Sequence, residues 1–190
     1  MRGHDLFRYV VVGALLFCYA TILLGGNVMA SDAGLACPDW PSCHGTFAPP
    51  LTGGTGIEWS HRLAAFGLSV VILGLTVLAF AFERRRPVLL RLSVGALVTV
   101  VVQALLGGLV VESDLVVGVV LLHLALATVL FAVLIVLALV ANLKEIPPRW
   151  TDWARRASDE RPMTADEVAR TTAPETGSGR GTPTSTGSSG

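Results

Sequence analysis

The chain has 190 residues, of which 52% are hydrophobic and only 15% charged, with a mean hydropathy of +0.64. Soluble domains carry about 25% charge, so composition excludes an ordinary soluble domain. Lys plus Arg number 14 and Asp plus Glu 14, a balance that by itself says nothing about a nucleic-acid partner; none is expected.

Arg2 and Arg8 precede an uncharged run over residues 9–31. Three more uncharged runs follow at 63–82, 92–111 and 115–143, the last with His123 as its one titratable group. Each reaches the roughly 20 residues that carry a helix across the bilayer core. The reading is an all-α integral membrane protein, a four-transmembrane-helix bundle with spans at about 9–27, 57–82, 89–111 and 115–143. Arg84, Arg85, Arg86 and Arg91 lie between the second and third spans, and Lys144 and Arg149 follow the fourth. The loop 27–57 and the turn Glu112-Ser113-Asp114 contain no Lys or Arg. The positive-inside rule then puts both termini in the cytoplasm of a multi-pass plasma-membrane protein, with those two loops outside. Val28-Met29-Ala30 also resembles a signal-peptide cleavage site. The apolar stretch before it is longer than a signal h-region, which argues for a retained span. Residues 1–146 form the expected transmembrane domain. Residues 147–190 form a cytoplasmic tail rich in Thr, Ser, Gly and Pro, which cannot bury a core and is expected to be disordered. Trp150 and Trp153 sit where interfacial Trp is common.

The phrase LLGGNVMASD at position 23 recurs as LLGGLVVESD at position 105. Each copy ends an outward helix, so the chain reads as two helical hairpins running in the same direction, a parallel repeat about an axis along the membrane normal. The paired glycines, Gly25-Gly26 and Gly107-Gly108, permit close helix approach. Each returning helix carries one histidine, His61 and His123. Thr55 and Glu58 fit a capping box, which puts the start of the second helix near Thr55. Asp114 is the expected cap of the fourth. On those starts His61 lies about 9 Å and His123 about 13 Å along its helix, and a twofold axis would turn the imidazoles toward each other. Facing histidines in a four-helix bundle suit a bis-imidazole haem. Interhelical hydrogen bonding, a metal ion and a proton path are the alternatives.

The outer loop carries GLACPDWPSCHG. Cys37 and Cys43 in an oxidising compartment suggest a disulfide, either a structural staple or a redox-active pair. A metal site with His44 is the third option. The spacing does not fit the C-x-x-C-H of c-type haem. Cys18, within the first span, reads as an inert buried thiol.

AGLACPDWPSCHG, then EWSHRLAA, then QALLGG with a later histidine, resembles the haem A synthase family over residues 12–143. The resemblance implies oxidation of the C8 methyl of haem O to the formyl of haem A for terminal-oxidase assembly. It also implies a cysteine pair at Cys37 and Cys43, haem-ligand histidines at His61 and His123, and an essential glutamate at Glu58. The common form of the family has eight spans in two halves, one for the substrate haem and one for a haem B; half-size members resembling this chain occur in archaea. This chain has one half, holding haem B, haem O or both in turn. A homodimer is the simple way to supply both sites. Haem O synthase and the terminal oxidase are the further partners implied, within membrane lipid.

Glu58 and His61 are three apart and share a helix face. Glu58 can stabilise positive charge at the methyl carbon or take its proton, or it can serve only the capping box. Arg62 can bind a haem propionate, pair with Glu58, or snorkel to water. Gln103 is expected to bond between helices. The rival function is a four-helix cytochrome b that carries electrons without changing its haem, which has no need of Glu58 or the cysteine loop. A quinone-linked disulfide oxidase would need a second cysteine pair, and the other outer loop has none.

Overall fold

A computed structural model describes residues 3–143 together with Val168 and Thr171. It contains four helices: α1 (Gly3–Ala30), α2 (Gly53–Phe82), α3 (Pro87–Glu112) and α4 (Val117–Asn142). All four are long and apolar enough to cross a membrane. Among the described residues there is no strand, only an isolated bridge between Cys43 and Thr46. Each helix packs on its neighbours in sequence and α4 closes back onto α1, giving a ring of four. The expected tail from residue 147 lies outside the described residues, apart from Val168 and Thr171.

The helices outrun the apolar stretches that announce them. α1 begins six residues before the expected span, at Gly3. Asp5 sits in its first turn, where a carboxylate suits the positive end of the helix. Arg8, one turn on, donates to the Ala141 and Asn142 carbonyls at the C-terminus of α4. Such carbonyls have no partner within their own helix.

Two cap expectations are overturned. α2 starts at Gly53 rather than Thr55, and no side chain caps it. The Thr55 hydroxyl donates to the Ala36 carbonyl instead, and Glu58 turns to Arg62. An arginine outcompetes a backbone N–H for a carboxylate because both partners then carry a full charge. Asp114 does not cap α4, which starts at Val117 without a side-chain cap. Asp114 and Leu115 both take left-handed backbone, φ 52° and 59°, to make the turn.

The close-packed core occupies one half of the bundle. Phe7, Val11, Ala14 and Cys18 of α1, Leu68, Ile72, Leu75 and Ala79 of α2, Leu89, Ala96 and Val100 of α3, and Leu130, Leu134, Leu137 and Ala141 of α4 form one cluster. Their spacing of three and four puts them on one stripe of each helix. All lie toward the end that carries Arg84, Arg85 and Arg86. The Thr76 hydroxyl joins this core, 2.9 Å from the Ile72 carbonyl and 3.1 Å from the Ser93 carbonyl across the α2–α3 contact. Toward the other end, where the loop 31–52 sits, the core stops. Residues 59–67, 101–107 and 117–129 include no fully buried side chain. His61 and His123 lie in that half.

Candidate functional site

His61 is eight residues into α2 and His123 six into α4. At the helical rise these are depths of about 12 and 9 Å from the loop end. The order reverses the sequence expectation, but the depths agree within one helical turn.

The two rings have matching seats. A Cβ on Gly25 would stand 2.9 Å from Cε1 of His61, and a Cβ on Gly107 would stand 3.3 Å from Cε1 of His123. Gly25 and Gly107 are the same position in the repeated phrase. The backbone carbonyl beside His61 is that of Thr21, and the one beside His123 is that of Gln103. Thr21 and Gln103 each stand four residues before those glycines. The first glycine of each phrase therefore leaves room for an imidazole.

Each ring is half-buried, yet its Nδ1 is buried without a hydrogen-bond partner. Gln103 donates from Nε2 to the His123 carbonyl at 2.9 Å, the interhelical bond expected of it. Its Oε1 is also buried and unpartnered. Three such atoms therefore lie in the half of the bundle that has no packed core. Each costs about 1–3 kcal/mol. A ligand carrying a metal ion suits neutral imidazoles, and a large flat apolar ligand suits a bundle interior lined by partly buried apolar residues. Each enclosed Nδ1 has a backbone carbonyl beside it, which leaves Nε2 of each ring as the nitrogen open to an iron, and the pair fits a haem. Among the described residues no group of three or more His, Cys, Asp or Glu could hold a free metal ion.

Above the histidines lies the loop. Cys37 and Cys43 form a disulfide, so neither sulfur is free as a thiolate, and the metal reading with His44 falls. The closed loop is braced from inside by Asp39. Its carboxylate accepts hydrogen bonds from the Ser42 hydroxyl, from the His44 N–H at 2.6 Å and from the Gly45 N–H at 3.0 Å. These bonds, led by that of Ser42, hold the Asp39 carboxyl down at about 2. His44 and Gly45 take φ 53° and 72°, which aims both N–H groups at one carboxylate.

Arg62 braces the loop from the helix side. Nη1 donates to the Asp39 carbonyl at 2.6 Å and the Ser42 carbonyl at 2.8 Å, and Nη2 donates to the Cys37 carbonyl at 2.8 Å. Nε donates to Glu58 Oε1 at 2.8 Å. Four of the five guanidinium donors are thus committed within the protein. Glu58 is 5% exposed, and a carboxylate buried that deeply needs such a partner. Of the roles open to Arg62 from sequence, the structure gives it the pairing with Glu58 and adds a loop contact that sequence did not suggest.

The loop reaches a third helix through Trp40, whose ring lies against Gly108; a Cβ there would stand 2.8 Å from Cδ2. Gly26, at the same position in the first phrase, has nothing within 4 Å. The second glycine of the phrase therefore matters in one copy only. Asp39, Trp40 and Ser42 were missed as functional positions. An Asp with a Ser three residues on is a turn signal, but the target of the indole had no signal. Elsewhere, a cavity of about 490 Å³ lined by His4, Arg8 and Arg84–Arg86 lies at the opposite end of the bundle and touches none of these groups.

The arrangement defines a multi-pass membrane protein with two interior histidines under a disulfide-closed loop. Residues 8–169 match the family model COX15-CtaA, described as Cytochrome oxidase assembly protein. The chain belongs to this family, that of the haem A synthases. It is 30% identical over 139 residues to "Heme A synthase" of Bacillus cereus (strain 03BB102), covering 73% of this chain and 45% of that protein. It is 32% identical over 134 residues to "Heme A synthase" of Geobacillus thermodenitrificans and 33% identical over 134 residues to that of Geobacillus kaustophilus (strain HTA426), in both cases covering 70% of this chain and 42% of the relative. The chain spans under half the length of the curated relatives it matches.

Proposed function

We propose that the protein is a haem A synthase, oxidising the C8 methyl of haem O to the formyl of haem A. The observation that carries the reading is the pair of equivalent seats: His61 on Gly25 and His123 on Gly107, each with Nδ1 enclosed beside a backbone carbonyl and Nε2 left accessible. The names of the relatives supply the reaction. Bound haem supplies the redox-active iron and, as haem O, the methyl group to be oxidised. His61 and His123 would hold it by their imidazoles. Glu58, one turn from His61, carries a buried carboxylate whose Oε1 is held by Arg62. That carboxylate would stabilise positive charge developing at the methyl carbon, or take its proton. Arg62 retains one donor with which it can meet a propionate.

The matching seats also support two parallel hairpins related by an axis along the bundle, each contributing one ligand. The placement of the arginines supports cytoplasmic termini, with the disulfide loop outside the plasma membrane. One bundle offers one histidine pair, so haem B and haem O share it in turn or occupy two copies in a homodimer. Haem O synthase and the terminal oxidase are the partners on either side of the reaction.

The test is haem extraction from purified wild type and Glu58→Gln, made in a host that synthesises haem O. Haem A or its alcohol precursor in wild type, with unmodified haem in Glu58→Gln, is the expected result. Unmodified haem B in both would replace the synthase with the electron-carrying cytochrome b. No haem in either would remove the bis-histidine site.

A further inference from the structure

The guanidinium of Arg62 is bonded on two sides. On one side are three carbonyls, from Cys37, Asp39 and Ser42. On the other is Glu58 Oε1. Those three carbonyls converge because the chain between them is closed. The disulfide joins residues 37 and 43, and the Asp39 carboxylate gathers Ser42, His44 and Gly45. A guanidinium is planar and its N–H directions are fixed relative to one another. Three bonds at Nη1 and Nη2 therefore fix the direction of Nε–H, and with it the position of the carboxylate that accepts from it. Lysine cannot do this, since its ammonium is a point charge on a flexible stem.

From this geometry we infer that Arg62 is a positioning residue that transmits the closed form of the Cys37–Cys43 loop to the Glu58 carboxylate. The disulfide acts on the site through three carbonyls and one guanidinium plane. The significance of Glu58 rests on the synthase reading; the mechanical link from loop to Glu58 does not. A loop opened by loss of either brace, the disulfide or Asp39, frees the Nη groups. The Nε–Glu58 bond then no longer has a fixed direction, and the buried carboxylate becomes accessible.

The test labels Glu58 in the purified full-length protein with a water-soluble carbodiimide and an amine, read by mass spectrometry of the peptide. Wild type labels slowly. Arg62→Gln and the double variant Cys37→Ser/Cys43→Ser each label about tenfold faster, as local opening exposes the group. Arg62→Lys falls between, because it keeps a charge but loses the fork. Combining Arg62→Gln with the cysteine variant gives no further acceleration, since both cut one chain of contacts. Asp39→Asn, which leaves Arg62 and the cysteines intact, gives the same direction of change and replaces Arg62→Gln if that variant does not fold. Wild-type labelling in the cysteine variant, or rates that multiply in the combination, would overturn the inference. Haem extraction from the same samples separates the two readings. Accelerated labelling without any haem A in wild type leaves the positioning intact and removes the synthase. Haem A in wild type with unchanged labelling does the reverse.

Discussion

At the arginine end of the bundle, apolar side chains from all four helices interlock at a spacing of three and four residues. At the loop end, the same helices carry histidines, a glutamine, a glutamate and an arginine, and residues 59–67 and 117–129 include no fully buried side chain. Within a bilayer the lipid is as apolar as leucine, so helices associate through packing rather than through escape from water. The arginine end provides that packing. The loop end is held by directional bonds and close seats instead: Gly25 and Gly107 against the imidazoles between helices, and the loop tied to α2 by Arg62 and set against α3 by Trp40. Close packing and polar side chains are therefore divided along the length of the same four helices.

The division can be broken from either end. The largest expected effect is on ligand binding. His61→Ala or His123→Ala should lower the haem retained by purified protein at least tenfold, since loss of a mere outer partner of a metal ligand costs about 10–100-fold. Thermal unfolding of the haem-free protein should hardly change. A fall in haem-free stability equal to that of a core truncation would mean that the loop end is also part of the core. Leu134→Ala should do the opposite, costing about 2–5 kcal/mol of stability as buried truncations do, while the ligation spectrum of the haem stays that of wild type.

A finer comparison uses the glycines. Gly25→Ala places a methyl 2.9 Å from the His61 ring and should cost about 1–3 kcal/mol in packing, with a shifted haem spectrum. Gly107→Ala, at 3.3 Å, should shift it less. Gly26→Ala meets nothing within 4 Å and should be neutral or gain up to about 1 kcal/mol of helix propensity. Equal effects at all three positions would show that the seats are not what the repeated phrase provides.

The smallest effect concerns acidity. The Asp39 carboxyl is held at about 2, below its ordinary value of 3.8. A depressed carboxyl contributes stability above its unfolded pKa and loses it as pH falls through the folded one. The loop should therefore keep its form down to about pH 4 and loosen only as pH falls toward 2. Asp39→Asn should be loose at every pH. Protease nicking within residues 37–45 measures both, and loosening of wild type near pH 5 would discount the carboxylate brace.

Much of this was legible beforehand. Uncharged runs separated by arginines specify four membrane-spanning helices, because a bilayer tolerates little else. His61 and His123 stood out because each returning helix of the repeat carries one histidine. A Cys37–Cys43 disulfide is the first reading of two cysteines in one outer loop, with a metal site beside it, and the structure has the disulfide. The capping box was misread because Thr55 and Glu58 also had distant partners, Ala36 and Arg62, which pattern alone cannot weigh. Arg62 was assigned three local or ligand roles, and the contact that dominates, with the loop carbonyls, was none of them; it joins residues up to 25 positions apart.

Sequence by itself determined the number of helices, their approximate ends, the repeat and the two histidines, since each depends on hydrophobicity or on identity along a short stretch. Only the tertiary structure decided that the core fills one half of the bundle, that Gly25 and Gly107 seat the imidazoles, and that the disulfide loop reaches Glu58 through Arg62. Those depend on which faces meet across helices and on where a guanidinium plane finds its acceptors, and neither is encoded within any one segment.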